Sequence, residues 1–159
     1  MTSDAGDSLA AFTRRTVHTV RLDETVGEAA RRMCRHGIGA LVVTDESGGI
    51  PIGMITDRDL VWMIAEGLDP KEAVVGSLLL SPLHTVRVSD GLADAARAMR
   101  AHGVRRLPIL DEANRLVGLV TFDDLLGVMG REIADLAAVV DAEIGRERRL
   151  AAAAAPHRS

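Results

Sequence analysis

The chain has 159 residues, of which 47% are hydrophobic and only 2% aromatic. This length fits one compact domain or two small ones, and the composition predicts a core of aliphatic side chains. The formal net charge of −4 argues against an extended nucleic-acid surface, which needs clustered Lys and Arg, but it is compatible with a local anion site.

The first part of the chain predicts the order strand–helix–strand–strand–helix. After a flexible leader at 1–12, we expect a short strand at 17–20 and a helix that starts at Asp23 or Thr25 and stops at Gly37. Apolar runs at 40–44 and 50–55 indicate two strands joined by a polar turn at 45–49. A further helix is expected from Thr56 to about Glu66.

The same pattern then returns, because the chain contains an internal duplication. Residues 18–46 reappear 66 positions later at 84–112 with 13 of 29 positions identical, and GMITDRDL at 53–60 returns as GLVTFDDL at 118–125. Two repeats of this size are marginal alone, so we expect them to pack together around a cleft. The predicted segments are repeats at 13–68 and 81–130, a linker at 69–80, and a C-terminal helix with a frayed tail at 131–159.

The C-terminal region extends the duplication with a long helix. Leu126, Met129, Ile133, Leu136 and Val140 alternate steps of three and four residues, which places them on one stripe. The stripe predicts either self-association or docking to another chain, or else folding back over the same chain.

Each repeat ends its last strand with T-x-x-D, at Thr56–Asp59 and Thr121–Asp124. One interpretation is a capping box, in which the Thr and the acid bond the free amides of a helix start. The other is a binding site, because a helix N-terminus attracts anions and a carboxylate accepts hydrogen bonds from sugar hydroxyls.

Two adjacent arginines distinguish the repeats. Arg105 and Arg106 stand where the first repeat has Gly39 and Ala40. Arginine suits phosphate through its planar fork, whereas Gly39 and Ala40 leave room for a flat base. The alternative is a solvated strand end with incidental ion pairs.

The duplicated pattern with GMITDRDL, GLVTFDDL, HGIGALVV and HGVRRLPI resembles a tandem pair of CBS domains, the Bateman module, over residues 13–130. The resemblance implies an α+β fold with α/β-type layers, in which two β-α-β-β-α repeats pack as a pseudo-twofold pair, here with an extended C-terminal helix. It also implies a regulatory module that binds an adenosyl ligand and forms a homodimer.

The resemblance implies two unequal ligand sites, each drawing on both repeats. The first, better suited to phosphorylated ligands, would use Asp59 for the ribose, three apolar residues for adenine and the arginines for phosphate. Its residues are Met54, Thr56, Arg58, Asp59, Leu83, His84, Val104, Arg105 and Arg106. The second keeps the ribose group but lacks the arginine pair. Its residues are Thr13, His18, Ile38, Gly39, Ala40, Leu119, Thr121 and Asp124.

Other chemistry is weakly represented. No His/Cys spacing typical of zinc and no catalytic arrangement stands out, so we expect no enzyme, metal or required cofactor. The single Cys34, a polar N-terminus unlike a signal peptide and the lack of a bilayer-length apolar run indicate a cytoplasmic protein without membrane or nucleic-acid partners.

The sequence therefore predicts a sensor of AMP, ADP or ATP, with NAD or S-adenosylmethionine as further options, since all share adenosine. A protein partner could dock through the C-terminal helix. The alternative is a dimerisation or interaction scaffold without a physiological nucleotide, whose T-x-x-D motifs only cap helices.

Overall fold

The computed structural model describes residues 8–13 and 16–154. The chain divides into two compact units, one up to Thr121 and one from Phe122 onward. The first unit contains the strands and shorter helices of both repeats, and the second is a single helix. The flexible leader and the frayed tail predicted for 1–7 and 155–159 fall outside the described residues.

The first repeat has the predicted order of elements. Its elements are β1 (Thr19–Arg21), α1 (Val26–His36), β2 (Ala40–Thr44), β3 (Pro51–Thr56) and α2 (Asp57–Ala65). The strand β2 lies in the middle of the sheet, parallel to β1 and antiparallel to β3. Helix α1 begins where the Thr25 side chain accepts a hydrogen bond from the Glu28 amide, and it ends at Gly37, whose φ of 61° is left-handed.

The second repeat copies this arrangement. It contains β4 (Val86–Arg87), α3 (Leu92–His102), β5 (Arg106–Leu110) and β6 (Leu116–Thr121), again with the middle strand parallel to the first and antiparallel to the third. The one-residue deletion falls in the hairpin before β6. There Asn114 takes the positive φ of 60° that Gly48 takes, at 76°, in the first repeat.

Two short 3₁₀ segments cross between the repeats. Leu9–Phe12 precedes the first repeat in sequence, yet the Leu9 amide donates to the Asp90 carbonyl in the second at 3.3 Å. The equivalent segment Val75–Leu78 precedes the second repeat, and the Val75 amide donates to the Glu24 carbonyl in the first at 2.9 Å. Each repeat is therefore completed by the segment that precedes the other one.

The prediction of a flexible leader over residues 1–12 is wrong for Leu9–Phe12. Leu9 and Phe12 are buried, at 0% and 7% exposure. Their apolar side chains fill the second repeat, whereas the polar residues around them had suggested an exposed segment. The predicted linker at 69–80 likewise contains buried residues, Val75 and Leu78.

The cores are aliphatic, as the composition predicts. The first repeat buries a cluster of Val20, Val26, Ala29, Met33, Leu41, Val43, Ile55, Met63, Val75 and Leu78. The second buries Leu9, Phe12, Val86, Ala95, Met99, Leu107, Ile109, Leu110 and Val120. Phe12 is the one aromatic side chain among these residues.

The second unit is α4 (Phe122–Ala154), a helix of 33 residues. It continues through Gly130 into the region where the sequence predicts a C-terminal helix, and it remains helical over 151–154, where fraying was expected. Among the described helices, none combines the length and the apolar character needed to span a bilayer.

Candidate ligand-binding site

A cavity of about 210 Å³ lies where the two repeats meet. Its walls come from the start of the first repeat, from β2 and β3, and from the corresponding strands β5 and β6. The lining residues are Thr16, Val17, His18, Ile38, Gly39, Ala40, Leu41, Val42, Met54, Arg106, Leu119 and Thr121.

Equivalent residues of the two repeats meet in this cavity. Met54 and Leu119 occupy matching positions of the duplication, and so do Ala40 and Arg106. The cavity is therefore shared between the repeats. The second repeat contributes an arginine at the position where the first repeat has an alanine. Apolar side chains line most of it, which suits a flat base, and Arg106 supplies a positive charge.

The structure brings together most of the second predicted site. His18, Ile38, Gly39, Ala40, Leu119 and Thr121 all line the cavity. Asp124, predicted for the same site, is the third residue of α4 and belongs to the helical unit. Thr13 does not line the cavity, and its hydroxyl donates to the Ala10 carbonyl at 2.8 Å.

The predicted division of residues between two sites differs from the structure. Met54 and Arg106 were assigned to the first site, yet they line the same cavity as the residues of the second. The reason is the reach of the arginine: its Nη2 lies 3.7 Å from the position that a Cβ on Gly39 would occupy. The second predicted set was expected to lack the arginine pair, and one of the two arginines, Arg106, lines the cavity together with it.

The other residues of the first predicted site do not line this cavity. They are Thr56, Arg58, Asp59, Leu83, His84, Val104 and Arg105. Arg58 and Arg105 are exposed, and the others are half-buried.

Thr56 and Asp59 form the capping box. Oδ2 of Asp59 accepts hydrogen bonds from the Thr56 amide at 2.6 Å and from its hydroxyl at 2.8 Å, while Thr56 Oγ1 accepts one from the Asp59 amide at 3.4 Å. This confirms the capping interpretation for the first T-x-x-D. Within the described part of the chain, Oδ1 of Asp59 makes no hydrogen bond, so the carboxylate retains acceptor capacity.

The sequence analysis missed Asp57, the residue after the threonine of the first T-x-x-D. Its amide donates to the Gly39 carbonyl at 3.2 Å, and its Oδ2 lies 3.0 Å from the position of a Cβ on Gly39. A carboxylate and the Arg106 guanidinium therefore flank the same glycine. The usable signal was the absence of a side chain at Gly39, which lets both groups approach.

A second missed feature is a stacked histidine pair in each repeat. The His18 and His36 rings lie 4.0 Å apart, and the His84 and His102 rings lie 3.7 Å apart. Partial desolvation lowers the pKa of His36 below its usual 6.5, and the neighbouring His18 lowers it further. The duplicated spacing of these histidines was the available signal, since both pairs join a first strand to the end of a helix.

A larger cavity of about 460 Å³ lies beside the two hairpin turns. Its lining residues are Val17, Thr19, Thr44, Gly48, Gly49, Ile50, Arg115, Leu116 and Val117. Its charged side chain, Arg115, is already paired with Asp111 at 2.7 Å. Among the described residues, Arg106 of the smaller cavity makes no such ion pair. The described residues contain no cluster of three or more side chains suited to a metal ion.

Comparisons with known proteins agree with the duplication. A family model described as "CBS domain" matches residues 9–66 and 75–131. The uncharacterized protein MK0525 of Methanopyrus kandleri is 38% identical over 122 residues, which are 76% of this chain. The chain spans 62% of the length of that relative.

Two solved structures share the fold of the repeats. Hypoxic Response Protein I, solved with two coordinated zinc ions, is 35% identical with a TM-score of 0.67, over 75% of this chain and 96% of the other. The CBS domain protein PAE2072 from Pyrobaculum aerophilum, complexed with AMP, is 22% identical with a TM-score of 0.69, over 74% of this chain and 88% of the other.

Proposed function

The chain belongs to the CBS-domain family, and we propose that it is a regulatory module that binds an adenosyl ligand in the cavity between its repeats. The observation that carries the proposal is the shared cavity, which combines an apolar lining with one guanidinium. The fold holds AMP in PAE2072. That similarity supports the ligand class by analogy, whereas the residues of this chain must supply the chemistry.

The cavity is suited to a base. Its volume of about 210 Å³ is below the roughly 300 Å³ at which pockets for drug-sized ligands begin. Adenine would lie between Met54 and Leu119, with the backbone at Gly39 close to its edge. The ribose and phosphates would extend to the mouth of the cavity.

Arg106 would bind the phosphate. It is half-buried, where an ion pair is screened less than on an open surface, and its fork can hold two phosphate oxygens at once. Thr121 would bond the ribose or phosphate. This assignment favours AMP, ADP or ATP over an adenosyl ligand without phosphate.

We further propose that the remaining residues of the first predicted site form a second ligand-binding position. Asp59 would hold ribose hydroxyls through Oδ1 while Oδ2 stays in the capping box, so the capping and binding interpretations are compatible. Leu83, His84, Val104 and Arg105 would complete that position.

The test is a thermal-shift series of the purified protein with AMP, ADP, ATP, NAD, S-adenosylmethionine, adenosine and a guanosine nucleotide. A ligand that binds only the folded state adds about 2.7 kcal/mol of stability at a hundredfold excess over its dissociation constant. We expect an increase with adenine nucleotides and none with the guanosine nucleotide.

The variant Arg106→Ala separates phosphate recognition from base recognition. Loss of a charge-assisted hydrogen bond costs about 1.5–3 kcal/mol, so AMP affinity should fall roughly ten- to a hundredfold. Adenosine affinity should change much less. The matched control is Arg97→Ala, which removes an exposed arginine of α3 that pairs with Asp94.

The competing function is an interaction scaffold without a nucleotide. It is favoured by the capping box, which already engages Thr56 and Asp59 at the start of α2. If no adenosyl ligand raises the stability of the wild-type protein, the sensor proposal is refuted and the scaffold is the better account.

A further inference from the structure

Two opposite charges lie beside Gly39, at the edge of the cavity between the repeats. Measured from the position that a Cβ on Gly39 would occupy, Asp57 Oδ2 lies at 3.0 Å and Arg106 Nη2 at 3.7 Å. The two atoms are therefore no more than roughly 7 Å apart, which is within the distance over which salt leaves charges able to interact. Gly39 and Arg106 line the cavity, whereas Asp57 is exposed, which places its carboxylate at the cavity rim.

The Asp57 carboxylate is only partly engaged by the protein. Its Oδ1 accepts a hydrogen bond from the Arg58 amide at 2.9 Å. Among the described residues, its Oδ2 accepts no hydrogen bond and the carboxylate forms no ion pair. The oxygen that approaches Gly39 therefore keeps its acceptor capacity, and the charge of the group is not neutralised by a direct partner.

The fold does not require an acid at this position. The second repeat makes the same junction of strand and helix, and there the residue equivalent to Asp57 is Phe122. The residue equivalent to Gly39 is Arg105. The helix dipole favours acids in the first turn of α2, where Asp59 is also present, but it does not account for the approach of Asp57 to a glycine. The acid therefore occurs in the repeat whose glycine lets a carboxylate reach the cavity rim.

We propose that Asp57 is a specificity-determining residue, which makes this cavity select a nucleoside monophosphate over di- and triphosphates. The inference rests on the function proposed above, in which Arg106 binds the phosphate of the ligand. Among the described residues that line the cavity, Arg106 is the only one with a permanent charge. Because the Asp57 carboxylate offsets that charge, the rim has little net positive charge with which to hold a second or third phosphate.

The size of the effect follows from the charges involved. A phosphate held by Arg106 at hydrogen-bond distance lies within about 10 Å of the Asp57 carboxylate. At this distance two unit charges change an equilibrium constant by roughly two- to twentyfold, from the dielectric constant of water to that of a protein surface. A monophosphate carries about two negative charges near neutral pH, and each further phosphate adds about one. The penalty from Asp57 therefore grows with the number of phosphates.

A carboxylate that binds the ligand directly would act in the opposite direction. If Asp57 accepted a hydrogen bond from a hydroxyl or amino group of the nucleoside, its removal would weaken the binding of every ligand, including adenosine. If Asp57 acts through its charge, its removal strengthens the binding of phosphorylated ligands and leaves adenosine unchanged. The sign of the change therefore distinguishes the two roles.

Isothermal titration of Asp57→Asn with adenosine, AMP, ADP and ATP tests the proposal. Because Asp57 is exposed, we expect an increase in affinity of about threefold for AMP and about tenfold or more for ATP. The matched control is Asp69→Asn, which removes the same charge from another exposed aspartate. Asp69 has an equivalent local bond, since its Oδ1 accepts from the Lys71 amide at 2.8 Å. The control should bind each compound like the wild type.

Ionic strength provides a readout that a purely structural role of Asp57 would not change. The Debye length falls from about 30 Å at 0.01 M salt to about 3 Å at 1 M. The difference in ATP affinity between Asp57→Asn and the wild type should therefore be largest at low salt and should disappear at high salt. A difference that does not depend on salt would overturn the electrostatic role.

The outcomes separate this proposal from the proposed function. If the ratio of ATP to AMP affinity is the same in Asp57→Asn and the wild type, or if the variant loses affinity for adenosine, the role of Asp57 is refuted while the proposed function stands. Binding of adenosine alone by both proteins has the same meaning. If Asp57→Asn binds ATP and the wild type binds none of the compounds, the proposed function is refuted and the role of Asp57 is supported. If neither protein binds any of them, both proposals are refuted.

Discussion

Truncation of Leu9 tests whether the crossing segment is part of the core of the second repeat. Leu9 is fully buried, and its amide bonds to the Asp90 carbonyl at 3.3 Å. Leu9→Ala removes buried apolar atoms and leaves a cavity, which costs about 2–5 kcal/mol in cores that relax only partly. We expect a loss of free energy of unfolding in this range.

The assay is urea unfolding followed by circular dichroism, with the m-value as a check that unfolding remains two-state. Leu78→Ala makes the equivalent test of the other crossing segment, since Leu78 is 6% exposed, and should also lower the stability by about 2–5 kcal/mol. The control is Leu80→Ala, at a side chain that is 74% exposed, where a change within about 0.5 kcal/mol is expected.

A loss below about 1 kcal/mol for Leu9→Ala would refute the reasoning, since values this small are typical of sites without a packed core. The segment would then contribute little to the stability of the second repeat, which is what a flexible leader would do. A loss in the expected range would instead explain why the family match begins at residue 9.

Two further changes test local electrostatics. Asp59→Asn removes a charge from the first turn of α2 and should lower stability by about 0.3–1 kcal/mol; with a ribose role it should also weaken nucleotide affinity about tenfold in isothermal titration. The control Asp94→Asn removes a similar cap from the Gly91 amide at the start of α3 and should change stability but not nucleotide affinity. Equal nucleotide affinities of the two variants would refute the ribose role of Asp59. The lowered pKa of His36 means that the unfolded chain takes up its proton more readily, so this contribution to stability is complete above pH 6.5 and is lost as the pH falls through the folded-state pKa. The melting temperature of His36→Gln should therefore depend less on pH below 6.5 than that of the wild type, and parallel profiles would contradict the assignment.

The elements of the fold were predictable because their signals are local. Gly37 ends α1 since a left-handed residue is needed there, and Thr25 begins it by capping. Because the second repeat duplicates the first in sequence, the same signals predicted its elements. Leu9 and Phe12 were missed because their burial depends on the second repeat, whose nearest contact is some 80 residues away in sequence.

The sequence predicted many of the residues that line the cavity, but not how residues of the two predicted sites are divided. The duplication identified which positions are equivalent, and six residues of one predicted set do line the cavity. It did not show that Arg106 reaches Gly39, because side-chain reach across two repeats depends on their packing. Asp57 was missed for a reason within the first repeat, because its approach to Gly39 depends on how β2 and β3 align.

The position of the cavity connects the fold to the proposed function. Because Met54 and Leu119 come from different repeats, a ligand between them makes contacts that exist only while both repeats keep their arrangement. The crossing segments at Leu9–Phe12 and Val75–Leu78 resist the same separation, since each connects one repeat to the other. A bound nucleotide can therefore alter the relation between the repeats only if it binds two arrangements with different affinity. Arg106 could contribute to such a difference, because it belongs to the second repeat and its Nη2 lies 3.7 Å from the Cβ position at Gly39 in the first.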